Sequence, residues 1–224
     1  MDTAQPPNGS VRSRAQPSRI EKPGAGQDPQ KHLTVLQRHI LFWDRDGDGI
    51  VHPWDVYNGF RELGFNIPFS LGSLLIPIFF SYPTRLGHSW LPDPMLRIYV
   101  KDIHKAKHGS DSGIYDFDGN FNEARFDQLY ETFDSSGTGA LSAQDLTNLW
   151  RKDRCAADPA GWSFAAMEWW TTWLLLQKDG MVRKEDLKAC YDGSIFWKIK
   201  EEREKQRGEA EKKSFGMRNF FNPA

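Results

Sequence analysis

Large apolar side chains at Leu33, Leu36, Ile40 and Trp43 recur at three- and four-residue steps, the period of a helix that buries one stripe. The same spacing predicts helices over 56–63, 96–107, 124–133, 144–151, 162–177 and 184–191. Turn signals separate the later ones: the run from His108 to Gly113, Asp118-Gly119, Ser136 to Gly139, Asp158-Pro159 and Asp179-Gly180. After the second helix the pattern changes. From Leu63 to Thr84 no residue is charged, and large apolar side chains dominate from Phe65 to Phe80. A spanning helix needs about 20 predominantly apolar residues without interruption. Here Pro68, Pro77 and Pro83, with Gly64 and Gly72, break the run. The expectation is a bent segment or hairpin that dips into lipid without crossing it, with a buried core hairpin as the alternative.

These changes of pattern divide the chain. Residues 1–30 are rich in Pro, Gly and Ser and nearly free of large apolar side chains, so they are expected to be disordered. Residues 31–62 form a helix, an acidic loop and a second helix; 63–90 are the uncharged insert; 91–197 form a second helical region. The tail, 198–224, carries many Lys, Arg and Glu, as a fraying, solvated helix does, with weak contact to anionic lipid head groups as the alternative. No apolar core of signal-peptide length follows the start, so a cytosolic location is expected.

Composition narrows the classes. With 224 residues, 39% hydrophobic and 26% charged, the chain suits one compact domain or two small ones, not a collagen, coiled coil or fully disordered protein. A net charge of -1 argues against a nucleic-acid binder. Cys155 and Cys190, with no CxxC spacing, make neither a disulfide framework nor a zinc site and favour a reducing compartment. Nine Trp and fifteen Phe imply a deep core, a lipid contact or a planar ligand.

Asp44 to Asp55 fits the twelve-residue EF-hand calcium loop position by position. Asp44, Asp46 and Asp48 supply hard carboxylate oxygens, the Ile50 carbonyl supplies the seventh position, and Gly49 permits the sharp turn. Val51 is the inward apolar anchor, and His52 at position nine leaves room for a water. Position twelve is Asp55 in place of the usual Glu, one methylene shorter, which lowers affinity or shifts selectivity toward magnesium. Asp134 to Asp145 keeps the spacing with hydroxyls replacing two carboxylates. The loops at Asp118-Gly119 and Asp179-Gly180 lack an acidic first position and read as structural. Such loops pair through short strands at position eight, so degenerate partners can serve packing alone. No GxSxG, GxxxxGK[ST] or HExxH motif occurs to support a hydrolase, nucleotidase or zinc protease.

An N-terminal EF-hand, an uncharged proline-containing segment, the block from Ile103 through His108-Gly109-Ser110-Asp111-Ser112-Gly113 to Asp116, and Tyr191-Asp192-Gly193-Ser194 follow one another in an order that resembles the caleosins over about residues 31–200. General appearance places the chain nearer the fungal than the plant branch. The resemblance implies a mainly α protein: an EF-hand helix-loop-helix, a degenerate EF-like helical region and a proline-interrupted lipid insert. It implies residence on lipid droplets or endoplasmic-reticulum membrane, facing the cytosol, with calcium bound by Asp44, Asp46, Asp48, Ile50 and Asp55. Some members are haem peroxygenases that pass one oxygen from a fatty-acid hydroperoxide to an unsaturated fatty acid. Their haem b histidines match His39 and His108. Whether both ligate iron or one polarises the hydroperoxide stays open, and a non-enzymatic, calcium-responsive lipid-droplet docking protein is the rival reading.

On the residues alone, a hydrogen-bonded structural role for His39 and a helix-terminal role for His108 compete with ligation. His104, four residues before His108, would share its face on a helix and is the competing ligand. His32, His88 and, on the residues alone, His104 read as surface residues. Trp162, Trp169, Trp170 and Trp173 recur at helical spacing and read as core. Glu168 and Asp179 show no spacing that argues for two-carboxylate catalysis.

Overall fold

The computed structural model describes residues 32–221, with side chains described to residue 210; the disorder expected for 1–30 lies outside the described residues. The first helix, α1 (Val35–Ile40), starts at a capping box in which Thr34 Oγ1 accepts the Gln37 amide and Gln37 Oε1 accepts that of Thr34. The acidic loop leads into β1 (Ile50–Val51) and α2 (Pro53–Glu62), whose first residue is the proline that a helix start tolerates best. Two further helices, α3 (Ile67–Gly72) and α4 (Leu75–Arg85), precede β2 (Ile98–Tyr99) and a 3-10 helix, Val100–Ala106. Then come α5 (Glu123–Phe133), β3 (Ala140–Ser142), α6 (Ala143–Asp153), α7 (Pro159–Leu176), β4 (Met181–Arg183), α8 (Lys184–Tyr191) and α9 (Ser194–Phe221). The protein is mainly α, as expected.

The short strands organise the helices. Antiparallel β1 and β2 pair Ile50 with Tyr99 and Val51 with Ile98, while β3 and β4 pair Leu141 with Val182. Among the described residues each of these strands lies between two helical segments, so the helical segments associate in pairs through the strands. Val51 and Leu141, at position eight of their loops, are fully enclosed at the centre of each pairing. One apolar cluster gathers Val51, Val56, Phe60, Ile98 and Ile103; the other gathers Phe42, Phe126, Leu141, Leu149, Leu187 and Phe196.

The helix expected over 96–107 is a strand followed by a 3-10 helix. β-branched Ile98 and aromatic Tyr99 favour extended backbone. The amides here are claimed by the pairing: Tyr99 lies in the ladder, and the Val100 amide donates to the Gly49 carbonyl at 3.0 Å. The 3-10 helix ends at Ala106 and Lys107 is extended, so His104 and His108 share no helix face, and the expected competition of His104 loses its basis. The first helix is likewise shorter than expected, with Leu41 to Trp43 in a turn.

The uncharged insert has its polarity reversed. Ile67–Arg85, formed by α3, α4 and the bend at Ser73-Leu74, is long and apolar enough to cross a membrane, yet only 28% of it is buried. Its buried positions are small and mostly polar: Ser70, Ser73, Pro77, Ser81 and Thr84. Its exposed positions are Ile67, Leu71, Leu75, Ile78, Phe79 and Tyr82. Small side chains let α4 approach β2 and the 3-10 helix closely. Thr84 Oγ1 donates to the Phe80 carbonyl at 2.8 Å and accepts the Tyr99 amide at 3.2 Å. Beyond α4, the enclosed Asp93 carboxylate meets Arg85 at 2.9 Å, Arg97 at 2.8 Å and the Tyr99 hydroxyl at 3.2 Å. This group holds the end of the insert to the first strand pair.

α9 buries Ile195 and Phe196, and its residues from 201 to 210 are almost all exposed; Lys200 meets Glu62 at 3.0 Å.

Candidate functional site

A cavity of about 270 Å³ lies between the two paired halves, and both His39 and His108 line it. They reach it from opposite sides of the insert in sequence, so 63–90 returns the chain to the side from which it left. His104 is absent from the wall.

His39 is oriented by a turn 151 residues away. Its Nδ1 lies 2.7 Å from the Cys190 carbonyl oxygen, which only accepts, so Nδ1 carries the proton and Nε2 keeps its lone pair. Phe196 meets the ring edge-on at 5.1 Å between centroids, and Trp43 is tilted against it at 5.9 Å. Protein encloses the ring except where it borders the cavity, and this burial pushes its pKa below 6.5 against the opposing Cys190 hydrogen bond and the charge of Asp192. The turn depends on Gly193, at φ +80°, where an added Cβ would stand 2.8 Å from both the Arg38 carbonyl oxygen and His39 Cα. The Tyr-Asp-Gly-Ser block is therefore the support beneath His39.

His108 has a different electrostatic setting. Its Nε2 is 3.9 Å from Glu168 Oε2 and its Nδ1, buried and without a hydrogen-bond partner, is 3.7 Å from Asp158 Oδ2. Glu168, then Asp111 and Asp158, favour the imidazolium, and its pKa rises. The block around it is a shell for Asp158. Oδ2 accepts the Ser110 amide at 3.0 Å and the Ser110 hydroxyl at 2.8 Å, while Oδ1 accepts the Gly161 amide at 2.9 Å. Ser112 Oγ is 3.1 Å from the Tyr191 hydroxyl, and the Tyr115 hydroxyl donates to the Tyr191 carbonyl. The two sequence blocks that carry the resemblance thus meet each other and enclose the cavity between the histidines.

Sequence spacing did not single out Glu168. Its signal is the helical period of α7, which sets it one turn beyond Phe164, whose ring meets the His108 ring edge-on at 5.9 Å. The core expected of the four tryptophans of this segment holds for two of them, since Trp169 and Trp173 pack against the larger apolar cluster. Trp169 lines the cavity, Trp170 is exposed and stacks on Trp173, and Trp162 donates to the Cys155 carbonyl. α7 is apolar nearly all round, so its period could not tell a core face from a cavity wall.

The acidic loop brings one oxygen each from Asp44, Asp46 and Asp48 within 4.8 Å of one another. Asp44 Oδ2 accepts the Gly49 amide at 3.0 Å, whereas its Oδ1 is buried and has no partner. Burial, then the charges of Asp48 and Asp46, raise the Asp44 pKa. Asp55 stands outside that cluster, and its Oδ2 accepts the His52 amide at the head of α2. In the second loop the carboxylates are satisfied internally: Asp134 Oδ2 by the Gly139 amide at 2.7 Å, and Asp145 by Ser135 Oγ and the Ser142 amide. At Asp118-Gly119, Asp116 accepts the amides of Asp118 and Asn120, and Gly119 accepts that of Leu36.

The family described as "Caleosin related protein" matches residues 31–200. A protein named peroxygenase from Lilium longiflorum is 36% identical over 182 residues, 80% of this chain and 75% of that one. One named probable peroxygenase 4 from Arabidopsis thaliana is 38% identical over 175 residues, 76% of this chain and 87% of that one. A probable inactive peroxygenase-like protein from Arabidopsis thaliana is 28% identical over 90 residues, 40% of this chain and 44% of that one. No solved structure matches. All three relatives are plant proteins, so the expected fungal placement draws no support from them. A match across the span that holds both histidines, the insert and both cavity-building blocks makes the conclusion plain: this chain belongs to the caleosin family.

Proposed function

We propose that the chain is a haem-dependent peroxygenase that works at a lipid surface and passes one oxygen from a fatty-acid hydroperoxide to an unsaturated fatty acid. The observation that carries this reading is the pair of unlike histidines on one largely apolar cavity. The residues suit haem. His39 offers a neutral Nε2 whose tautomer is set by Cys190, and apolar side chains such as Ile40, Phe60, Ile103 and Phe164 make a wall for a flat macrocycle.

In this reading Nε2 of His39 would hold the haem iron. Haem iron, when bound, supplies the redox centre for O–O cleavage. His108 stands with Glu168 and Asp158 where a proton can be held at Nε2 and given to the hydroperoxide oxygen that leaves as the alcohol. Asp158 is fixed by Ser110 and Gly161 and so orients the imidazole. The oxygen lost by the hydroperoxide is gained by the acceptor double bond, so the exchange needs no external reductant.

The exposed apolar face of α3 and α4 suits segment 63–90 to insertion into a droplet monolayer or endoplasmic-reticulum membrane from the cytosolic side. Asp44, Asp46, Asp48 and the Ile50 carbonyl suit calcium, with Asp55 as the weak twelfth position. The unpartnered Asp44 oxygen supports a cation there.

The test is the visible spectrum of the chain expressed with haem supplied, beside His39→Ala and His108→Ala, together with transfer of labelled oxygen from a fatty-acid hydroperoxide to oleic acid. A Soret band lost in His39→Ala, and retained without transfer in His108→Ala, is expected. A folded protein that stays colourless overturns the enzyme reading in favour of a lipid-surface docking protein.

A further inference from the structure

The helix that carries the apolar outer surface also forms a wall of the cavity. On α4, Ile76 and Phe80 lie one turn apart and face inward, while Ile78, Phe79 and Tyr82 face outward. Phe164 of α7 closes the space between this helix and His108. Its ring centroid is 5.2 Å from that of Phe79, 4.7 Å from Phe80 and 5.9 Å from His108. Phe164 is only 4% exposed, whereas Phe79 is 41% exposed. A continuous row of aromatic rings thus runs from the outer face to the candidate catalytic imidazole.

The charged part of the cavity wall near His108 has a different character. Lys107, Asp111 and Glu168 form it, and Glu168 is open to solvent. An acyl chain entering there would pass charged groups and leave lipid for water first. Between Phe79, Phe80 and Phe164 it would meet apolar surface throughout. The backbone is weakened at that place: Pro83 lies inside α4 and has no amide to donate to the carbonyl of Phe79 four residues earlier. Phe164, by contrast, stands within the unbroken α7.

We infer that fatty-acid chains enter the cavity directly from the lipid-facing side of α4, between Phe79 and Phe80 on one side and Phe164 on the other, and that Phe164 governs their passage to His108. The inference rests on the proposed fatty-acid chemistry. It assigns three residues to substrate entry and makes water-side access secondary for long chains. Phe164 is then a specificity-determining residue: its ring must turn aside for a chain to reach the imidazole.

The test uses the full-length chain and cis-parinaric acid, a fluorescent polyunsaturated fatty acid, delivered from phosphatidylcholine vesicles in stopped flow. Phe164→Trp, which enlarges the barrier, is expected to slow transfer on the order of tenfold, and Phe79→Leu, which removes a ring but keeps the outer surface apolar, to speed it severalfold. Vesicle flotation stays near wild type in both, because neither change makes the outer surface of α4 polar. Phe79 is half-exposed, so its variant keeps the question open to refutation even if Phe164→Trp fails to fold. Binding that persists with transfer rates unchanged in every folded variant overturns the route and leaves the peroxygenase reading standing. A wild-type chain that takes up no parinaric acid overturns both.

Discussion

The Cys190 carbonyl oxygen lies 2.7 Å from His39 Nδ1, and the glycine three residues further on is what lets the two segments come that close. Gly193→Ala puts a methyl group 2.8 Å from His39 Cα at a positive φ, so backbone strain and displacement of α1 act together. The expected loss is about 1–3 kcal/mol of stability. Haem retention should weaken with it. Chemical denaturation and a haem titration read the two effects separately; a variant unchanged in both would remove the turn from the site.

The two histidines should oppose each other in the pH dependence of stability. Burial lowers the His39 pKa from 6.5, so the folded form binds fewer protons; its contribution is present above that value and is lost as pH falls through the folded pKa. His108 is raised, foremost by Glu168, so its contribution is full below 6.5 and is lost as pH rises through the folded pKa. In haem-free protein, His39→Gln should flatten the decline in melting temperature toward about pH 5, and His108→Gln the decline above neutrality. Melting curves across pH decide this, and parallel profiles for wild type and both variants would contradict it.

Asp44 is a buried carboxylate with one oxygen unpartnered and a raised pKa, so its charge opposes folding at neutral pH until a cation meets it. Asp44→Asn should therefore raise the cation-free melting temperature by about 2–4 °C for each kcal/mol of relief. It should also abolish the further rise that calcium causes in wild type. Calorimetry with calcium and magnesium checks both halves; calcium heat that survives in the variant would place the ion elsewhere.

Leu71 and Ile78 are exposed on the insert and touch neither histidine. Leu71→Lys with Ile78→Lys should leave fold stability within about 0.5 kcal/mol per site. Flotation with oil droplets should fall sharply. Undiminished flotation would show that lipid contact is made by another surface.

His108→Gln should lower oxygen transfer by about 10²–10⁴-fold, the usual size of a general acid's contribution. Glu168→Gln, which leaves the imidazole but removes its charged neighbour, should cost less and shift the pH profile of turnover toward acid. A Soret band like that of wild type in both variants is part of the expectation, and its loss would make His108 an iron ligand.

Much of the site could be read along the chain because its parts are local. The Asp44–Asp55 loop is a contiguous ligand pattern, and helices α5, α6 and α8 follow from their apolar period and flanking turns. The segment over 96–107 could not be read this way: its apolar spacing suits a helix, but strand pairing with Ile50 and Val51 claims its backbone. The insert was legible as an uncharged apolar segment, yet its reversal, with Ser70, Ser81 and Thr84 inward and Leu71, Ile78 and Phe79 outward, needed the packing of α4 on β2.

The sequence by itself determined most of the helices and the spacing of the acidic loop, because each rests on residues a few positions apart, and it pointed to His39 and His108 through the resemblance that their flanking blocks carry. Only the tertiary structure decided their roles. A carbonyl 151 residues away sets the tautomer of His39, and Glu168 and Asp158, from the helix at 159–176 and its cap, set the charge around His108. Hydrogen bonding and Coulomb interaction depend on distance in space, which the order of residues does not carry.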